Sequence, residues 1–370
     1  MMERSRVSCS LARVAAFFWI VWTSLSLSAW GKTWVFVSAA TDKTLVVFEL
    51  DAERGELIER SRLRLPHEPA SIACRLDQSR LFVALRSGGS LAAVSFQPED
   101  GTLRLINEVP AGDDPAHIAL DPSGTRLVTA FYVAGKVSVH AILEDGRLSE
   151  SPLQEFTTAD KAHAVVFQPG SRRVYVPHTG SERIDAFDWD TQTRTLQPRD
   201  DLRFSTEPGT GPRHAVWLSD GRHLAVGNEQ GSSLSLYLGL ETGRLEKLAT
   251  ESTLPGDFNG PNSTAAVRRH PHQDLVYVAN RGHQSIAVIG VVPGEDDGDW
   301  SLMRLQNIAT EAVPRSFDVD PTGRWLVVAG EQSGVLAVHP LEDGGRRGLE
   351  PIQRIALGER LWHVVIATTP

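Results

Sequence analysis

A short motif recurs seven times along the chain, and its spacing constrains the fold more than any other feature. Its first residues fall at Pro69 (PASIACRL), Pro115 (PAHIALDP), Lys161 (KAHAVVFQP), Pro212 (PRHAVWLS), Ser263 (STAAVRRHP), Pro314 (PRSFDVDP) and Leu361 (LWHVVIA). The intervals are 46, 46, 51, 51, 51 and 47 residues. Each interval contains short runs rich in Val, Ile, Leu and Phe with turn residues between them, the pattern of a propeller blade and not of a helical repeat.

The second unit shows the internal order. HIALDPSGTRLVTAF reads as strand, Asp-Pro-Ser-Gly turn, strand; KVSVHAI is a third strand, and Glu144-Asp145-Gly146 turns into a fourth. DPTG at 320–323 and SDG at 219–221 repeat the first turn, while EDGTL at 99–103 and ETGRL at 241–245 repeat the last. The seventh unit has only its inner strand before the chain stops, and the N-terminal part offers three strands without partners: WVFVSA, TLVVFEL and ELIERSRL. Joining the two predicts an all-β, seven-bladed propeller over residues 29–370, with four-stranded antiparallel blades and a ring that leaves no free sheet edge.

Residues 1–28 differ in kind. Arg4, Arg6 and Arg13 precede the apolar run VAAFFWIVWTSLSL, with Ser26 and Ser28 as small residues at a cleavage position. A run of about 14 residues is short for a membrane span of roughly 20, so a cleaved export signal is expected, with an uncleaved N-terminal anchor as the alternative, and a periplasmic or secreted product. Its removal takes away three arginines and Glu3, moving the net charge from -9 to -11. An acidic chain lacks the basic surface that nucleic acid demands. Cys74 is then the one cysteine left, so no internal disulfide is expected.

In a propeller, the loop before the inner strand and the loop after the second strand open on one side of the disc. A count of 15 residues from the third motif position links Ser71 to Arg86, His117 to Tyr132, His163 to His178, His214 to Glu229 and Ser316 to Glu331. Arg281 takes the equivalent place after LVYVAN, and Arg213 and Arg315 lie beside the third positions. One mouth of the central channel is therefore expected to gather Arg86, His117, His163, His178, Arg213, His214, Glu229, Arg281, Arg315 and Glu331. Convergent guanidinium groups hold carboxylate or phosphate by paired hydrogen bonds, which points to an anionic ligand. Inter-blade salt bridges such as Arg213 with Glu229 are the alternative use of the same residues. His270 and His272 fall on the opposite face and are expected to be solvated there. The chain has no His-Glu-x-x-His, Cys-x-x-Cys or Gly-x-Ser-x-Gly, so zinc-protease, redox-thiol and serine-hydrolase chemistry have no support.

GTGPRH (209–214), Gly-Asn-Glu (227–229), LPGDFNGPNSTA (254–265), VYVANRGHQSI (276–286) and PRSFDVDPTGRWLVVAGEQSG (314–334) together resemble the lactonase family of seven-bladed propellers. Propeller-type 6-phosphogluconolactonases and muconate cyclases belong to that family. The resemblance implies a catalytic set of His163, Arg213, Glu229 and Arg281; the other residues that the repeat count places at the mouth, Arg86, His117, His178, His214, Arg315 and Glu331, are expected to bind substrate. It implies lactone hydrolysis, here on the small anionic molecule that the arginines suggest, with no metal or cofactor, and a closed ring is expected to act as a monomer. Cyclase or isomerase chemistry, and ligand binding without turnover, are the alternatives. The chain departs from the family's usual Asp-Leu-Gly at His178-Thr179-Gly180.

Overall fold

The computed structural model describes residues 31–295 and 299–370; the expected export signal lies outside them. Among the described residues, seven antiparallel sheets follow one another around a central channel. Their inner strands are Pro69–Arg75, Pro115–Leu120, Val166–Phe167, Pro212–Trp217, Thr264–Arg269, Pro314–Val319 and Leu361–Thr368, and we number the blades 1 to 7 in that order. Blade 7 is closed by Thr33–Ala39, Thr44–Asp51 and Glu56–Arg64, so the two ends of the chain share one sheet as the sequence predicts. Two blades have a broken outer strand: Thr195–Pro198 and Phe204–Ser205 in blade 3, Arg347–Gly348 and Gln353–Ala356 in blade 6.

The second and third strands of each blade are apolar because a neighbouring blade covers them on both faces. Trp34 and Phe36 of blade 7 pack with Leu81 and Val83 of blade 1, all fully buried. Polar staples cross the same seams. Tyr175 donates to Gly243 O (2.8 Å) and Tyr277 to Gly345 O (2.7 Å). Trp217 is core, and the Trp325 indole donates to Ala52 O at 2.9 Å. On the face away from the mouth, the Asp-Pro-Ser-Gly and Asp-Pro-Thr-Gly turns are organised by their aspartates. Asp121 accepts backbone N–H groups from Ser123, Thr125 and Arg126, and Asp320 from Thr322, Arg324 and Trp325. Gly124 and Gly323 supply the positive φ (+64° and +73°) that ends each turn.

His270 is not solvated as its turn position suggested; it is 3% exposed. The blade 6 turn docks over it, placing Gly323 O 3.1 Å from Nε2, while Nδ1 accepts the N–H groups of His272 and Gln273. His272 in turn reaches Pro321 O at 2.7 Å.

Each inner strand begins with a one-residue bulge. In blade 4 the pairing steps from Pro212↔Asn228 to His214↔Gly227, leaving Arg213 as the extra residue. The same one-residue shift occurs in blades 1, 2, 3, 5, 6 and 7. A bulge interrupts the alternation of side chains, so two consecutive residues can face the channel. The register is fixed by a bond common to all blades, from the N–H of the residue after the second strand to the carbonyl just before the inner strand. The pairs are Arg86 with Glu68, Tyr132 with Asp114, Thr179 with Lys161, Glu229 with Gly211, Arg281 with Ser263, Glu331 with Val313 and Ala40 with Arg360.

Candidate active site

These equivalences sort the mouth into tiers. The rim carries Arg86, Tyr132, Thr179, Glu229, Arg281 and Glu331. The bulge tier beneath it carries Ala70, Ala116, His163, Arg213, Ala265, Arg315 and Trp362. One step deeper lie Ser71, His117, Ala164, His214, Ala266, Ser316 and His363. A cavity of about 420 Å3 opens among Arg86, Tyr132, His163, Arg213, Glu229, Arg281, Arg315, Arg360 and Trp362. That volume is in the range of small-molecule sites.

Glu229 is the hub of the cavity. One carboxylate oxygen accepts from Arg281, and the other lies 3.3 Å from Arg213 Nε, close enough for an ion pair but off-line for a hydrogen bond. Burial pushes the Glu229 carboxyl up, yet Arg213 and Arg281 outweigh it and hold the group below its ordinary value. Arg213 is 2% exposed, and its burial opposes its charge while Glu229 supports it. Each remaining arginine has its own anion: Arg86 grips Asp114, Arg315 meets Glu331 at 3.1 Å, and Arg360 meets Glu68 at 3.0 Å. Two guanidinium groups therefore share the single charge of Glu229.

The Trp362 indole donates to Glu331 (3.0 Å) and its ring is flanked by Arg360, Arg86 and Arg315 at 4.4, 5.4 and 5.5 Å. His163 packs edge-on to Tyr132 and His214 with ring centroids 5.4 and 5.1 Å apart. It is 5% exposed and held well below its ordinary pKa, first by burial and then by Arg213 and Arg315. Four buried atoms of the residues that line the cavity have no hydrogen-bond partner: His163 Nδ1, Arg213 Nε, Arg281 Nε and Glu229 Oε2. Among the described residues, no group of three or more His, Cys, Asp or Glu side chains is arranged to hold a metal ion.

Six of the ten residues expected at the mouth line the cavity: Arg86, His163, Arg213, Glu229, Arg281 and Arg315. His117 and His214 stand one tier deeper, around a chamber below. Glu331 holds Arg315 and Trp362 from behind. His178 departs from expectation. It is the last residue of its strand and is sealed inside blade 3, 3.7 Å from Asp185, with burial pushing its pKa down to about 4 against the pull of Asp185.

The cause is a slip of one residue. KAHAV imitates PRHAV, but Ala162 pairs with His178 as Pro212 pairs with Asn228, so Thr179, not His178, is the rim residue of blade 3. His163 accordingly corresponds to Arg213 and not to His214. Tyr132, Arg360, Trp362 and His363 complete the site beyond the expected set. Trp362 and His363 were accessible to the repeat, since LWH of the seventh unit occupies the places of PRH in the fourth.

A family model described as "Lactonase, 7-bladed beta-propeller" matches residues 34–359. The chain belongs to this lactonase family. It is 28% identical over 335 residues to a 6-phosphogluconolactonase of Pectobacterium carotovorum subsp. carotovorum (strain PC1), covering 90% of this chain and 98% of the relative. It is 29% identical over 338 residues to a 6-phosphogluconolactonase of Cronobacter sakazakii, again covering 90% and 98%. Among solved structures, a periplasmic gluconolactonase of Pseudomonas aeruginosa superposes with a TM-score of 0.84 at 23% identity, covering 92% of this chain and all of that one. Within this lactonase-family propeller, the residues that the resemblance singled out, His163, Arg213, Glu229 and Arg281, share one cavity.

Proposed function

We propose that the protein hydrolyses a lactone of an anionic sugar or organic acid, in line with the activity its relatives are named for, and without a metal ion or cofactor. The observation that carries this reading is the meeting of His163, Arg213, Glu229 and Arg281 in one cavity, each with a buried polar atom that has no hydrogen-bond partner. The two guanidinium groups that share Glu229 take the carbonyl oxygen as it gains charge, and the substrate's own anion adds to their neutralisation. Water adds to the carbonyl carbon, His163 accepts its proton, and the ring C–O bond breaks as that proton passes to the leaving oxygen. Burial first, and then Arg213 and Arg315, depress His163, and an anion bound beside the two arginines offsets their part of that depression. Glu229 acts by holding Arg213 and Arg281 in place.

The signal-like residues 1–28 support action after export, and a ring closed by its own two ends supports action as a monomer. Among the described residues, no helix is long and apolar enough to cross a membrane. The direct test is a pH-indicator assay of the purified chain on phosphorylated, carboxylated and neutral γ- and δ-lactones, with His163→Gln and Glu229→Gln alongside. Acid release lost in His163→Gln is the expected result. Silence of the wild type across the panel rejects hydrolysis in favour of ligand binding without turnover.

A further inference from the structure

Beneath the mouth lies a second, much smaller space of about 30 Å3. Its roof is the bulge tier, with His163, Arg213, Arg315 and Trp362 lining both spaces. Its wall contains every polar member of the next tier: Ser71, His117, His214, Ser316 and His363. A space of 10–15 Å3 suffices for one water when two to four polar groups surround it, so this one has room for one or two.

The wall is also locked from behind. Val364 N–H donates to Ser316 Oγ (3.0 Å), Ile72 N–H to His363 Nδ1 (3.2 Å), Ile118 N–H to Ser71 Oγ (3.2 Å) and Val165 N–H to His117 Nδ1 (3.3 Å). Each bond runs from one blade's side chain to the next blade's backbone and fixes what the side chain still offers. Both serines accept through oxygen and keep a hydroxyl proton to donate. His117, accepting at Nδ1, carries its proton on Nε2. Arg213 stands 3.3 Å from His214 Nδ1, which places the His214 proton on Nε2 as well. Burial keeps these imidazoles neutral, with His117 pushed down to about 3. The one uncommitted buried nitrogen among the site's histidines is Nδ1 of His163, in the roof.

We propose that this chamber binds the hydrolytic water, with Ser71, Ser316, His117 and His214 as its positioning residues and His163 as the base between it and the mouth. The inference rests on the lactonase reading. The water oxygen forms its bond to the lactone carbonyl carbon from the channel side, one water proton goes to His163 and then to the ring oxygen, and a hydroxy acid leaves through the mouth, releasing one proton to solvent.

Ser71→Thr and Ser316→Thr test this, because each keeps the hydroxyl that binds the neighbouring blade and adds a methyl group to a chamber with room for little more than a water. Their kcat for the best lactone of the panel should fall at least 30-fold with KM within threefold of wild type and an unchanged melting temperature. A crystal structure of the wild type should show water bonded to Ser71 and Ser316 that is absent from both variants. Unchanged kcat in two folded variants overturns the chamber and leaves the lactonase reading intact. A wild type that opens no lactone overturns both. Parallel rises in KM and losses of melting temperature overturn the water role in favour of a purely structural one.

Discussion

The two faces of the propeller use the same kinds of residue to opposite ends. On the face away from the mouth, His270 engages both ring nitrogens with backbone groups, and Asp121 and Asp320 each gather three backbone N–H groups. At the mouth, His163 and Arg213 are comparably buried and Arg281 and Glu229 partly so, yet each keeps an atom without a hydrogen-bond partner. Burying a polar group without a partner costs on the order of 1–3 kcal/mol. The opposite face has such atoms too, among them His223 Nε2 and Arg126 Nε, but at the mouth four of them line a single cavity, where a ligand can supply partners.

The comparison breaks most directly at His163. His163→Gln should lower kcat by about 10²–10⁴-fold with the fold retained, as expected when a positioned base is lost; steady-state kinetics with circular dichroism checks it. An undiminished rate would make the mouth no more reactive than the opposite face. Arg281→Met comes next, with a loss of about 10²–10³ in kcat, the usual scale for one oxyanion donor. Measured in the same assay, an effect on KM alone would reassign Arg281 to holding the substrate's anion.

Stability should depend on acid through the buried imidazoles. His178 has its folded pKa pushed down to about 4 by burial, with Asp185 opposing, against 6.5 ordinarily. The unfolded chain takes up a proton between those values and the folded chain does not. Stability present near pH 7 is thus lost as pH falls from about 6.5 to about 4, by roughly 3 kcal/mol for His178 alone. Urea unfolding at stepped pH measures this, and a flat profile would contradict neutral burial.

His270→Gln should cost about 1–3 kcal/mol of stability and leave kcat alone, since what it loses is a committed bridge between blades. Smallest of all, Tyr277→Phe should cost about 1 kcal/mol through its bond to Gly345, read as a fall in melting temperature.

The architecture was legible because a repeat reports the same turn and strand many times over, so one ambiguous unit is corrected by the others. The 15-residue count also holds in the structure, for it joins Ala164 to Thr179 and Ala266 to Arg281 as well as His214 to Glu229. What failed was the starting point of the count in blade 3. Sequence similarity aligned His163 with His214, whereas the bulge register aligns it with Arg213, and the error carried forward to His178. Arg360 was missed for a different reason: it precedes the inner strand of blade 7, a place the count does not address. The tautomers of His117 and His363 depend on backbone N–H groups of the next blade, which no local pattern announces.

The bulge at the head of every inner strand carries one last consequence. By presenting two neighbouring side chains per blade to the axis, it separates the residues that meet a ligand from those that hold the blades together. His163, Arg213, Arg315 and Trp362 occupy one and the same backbone setting in four different blades, so a change of chemistry at any of them leaves the apolar strands untouched. The ring behaves as a set of interchangeable sockets, and new specificities can be written into it one socket at a time without renegotiating the fold.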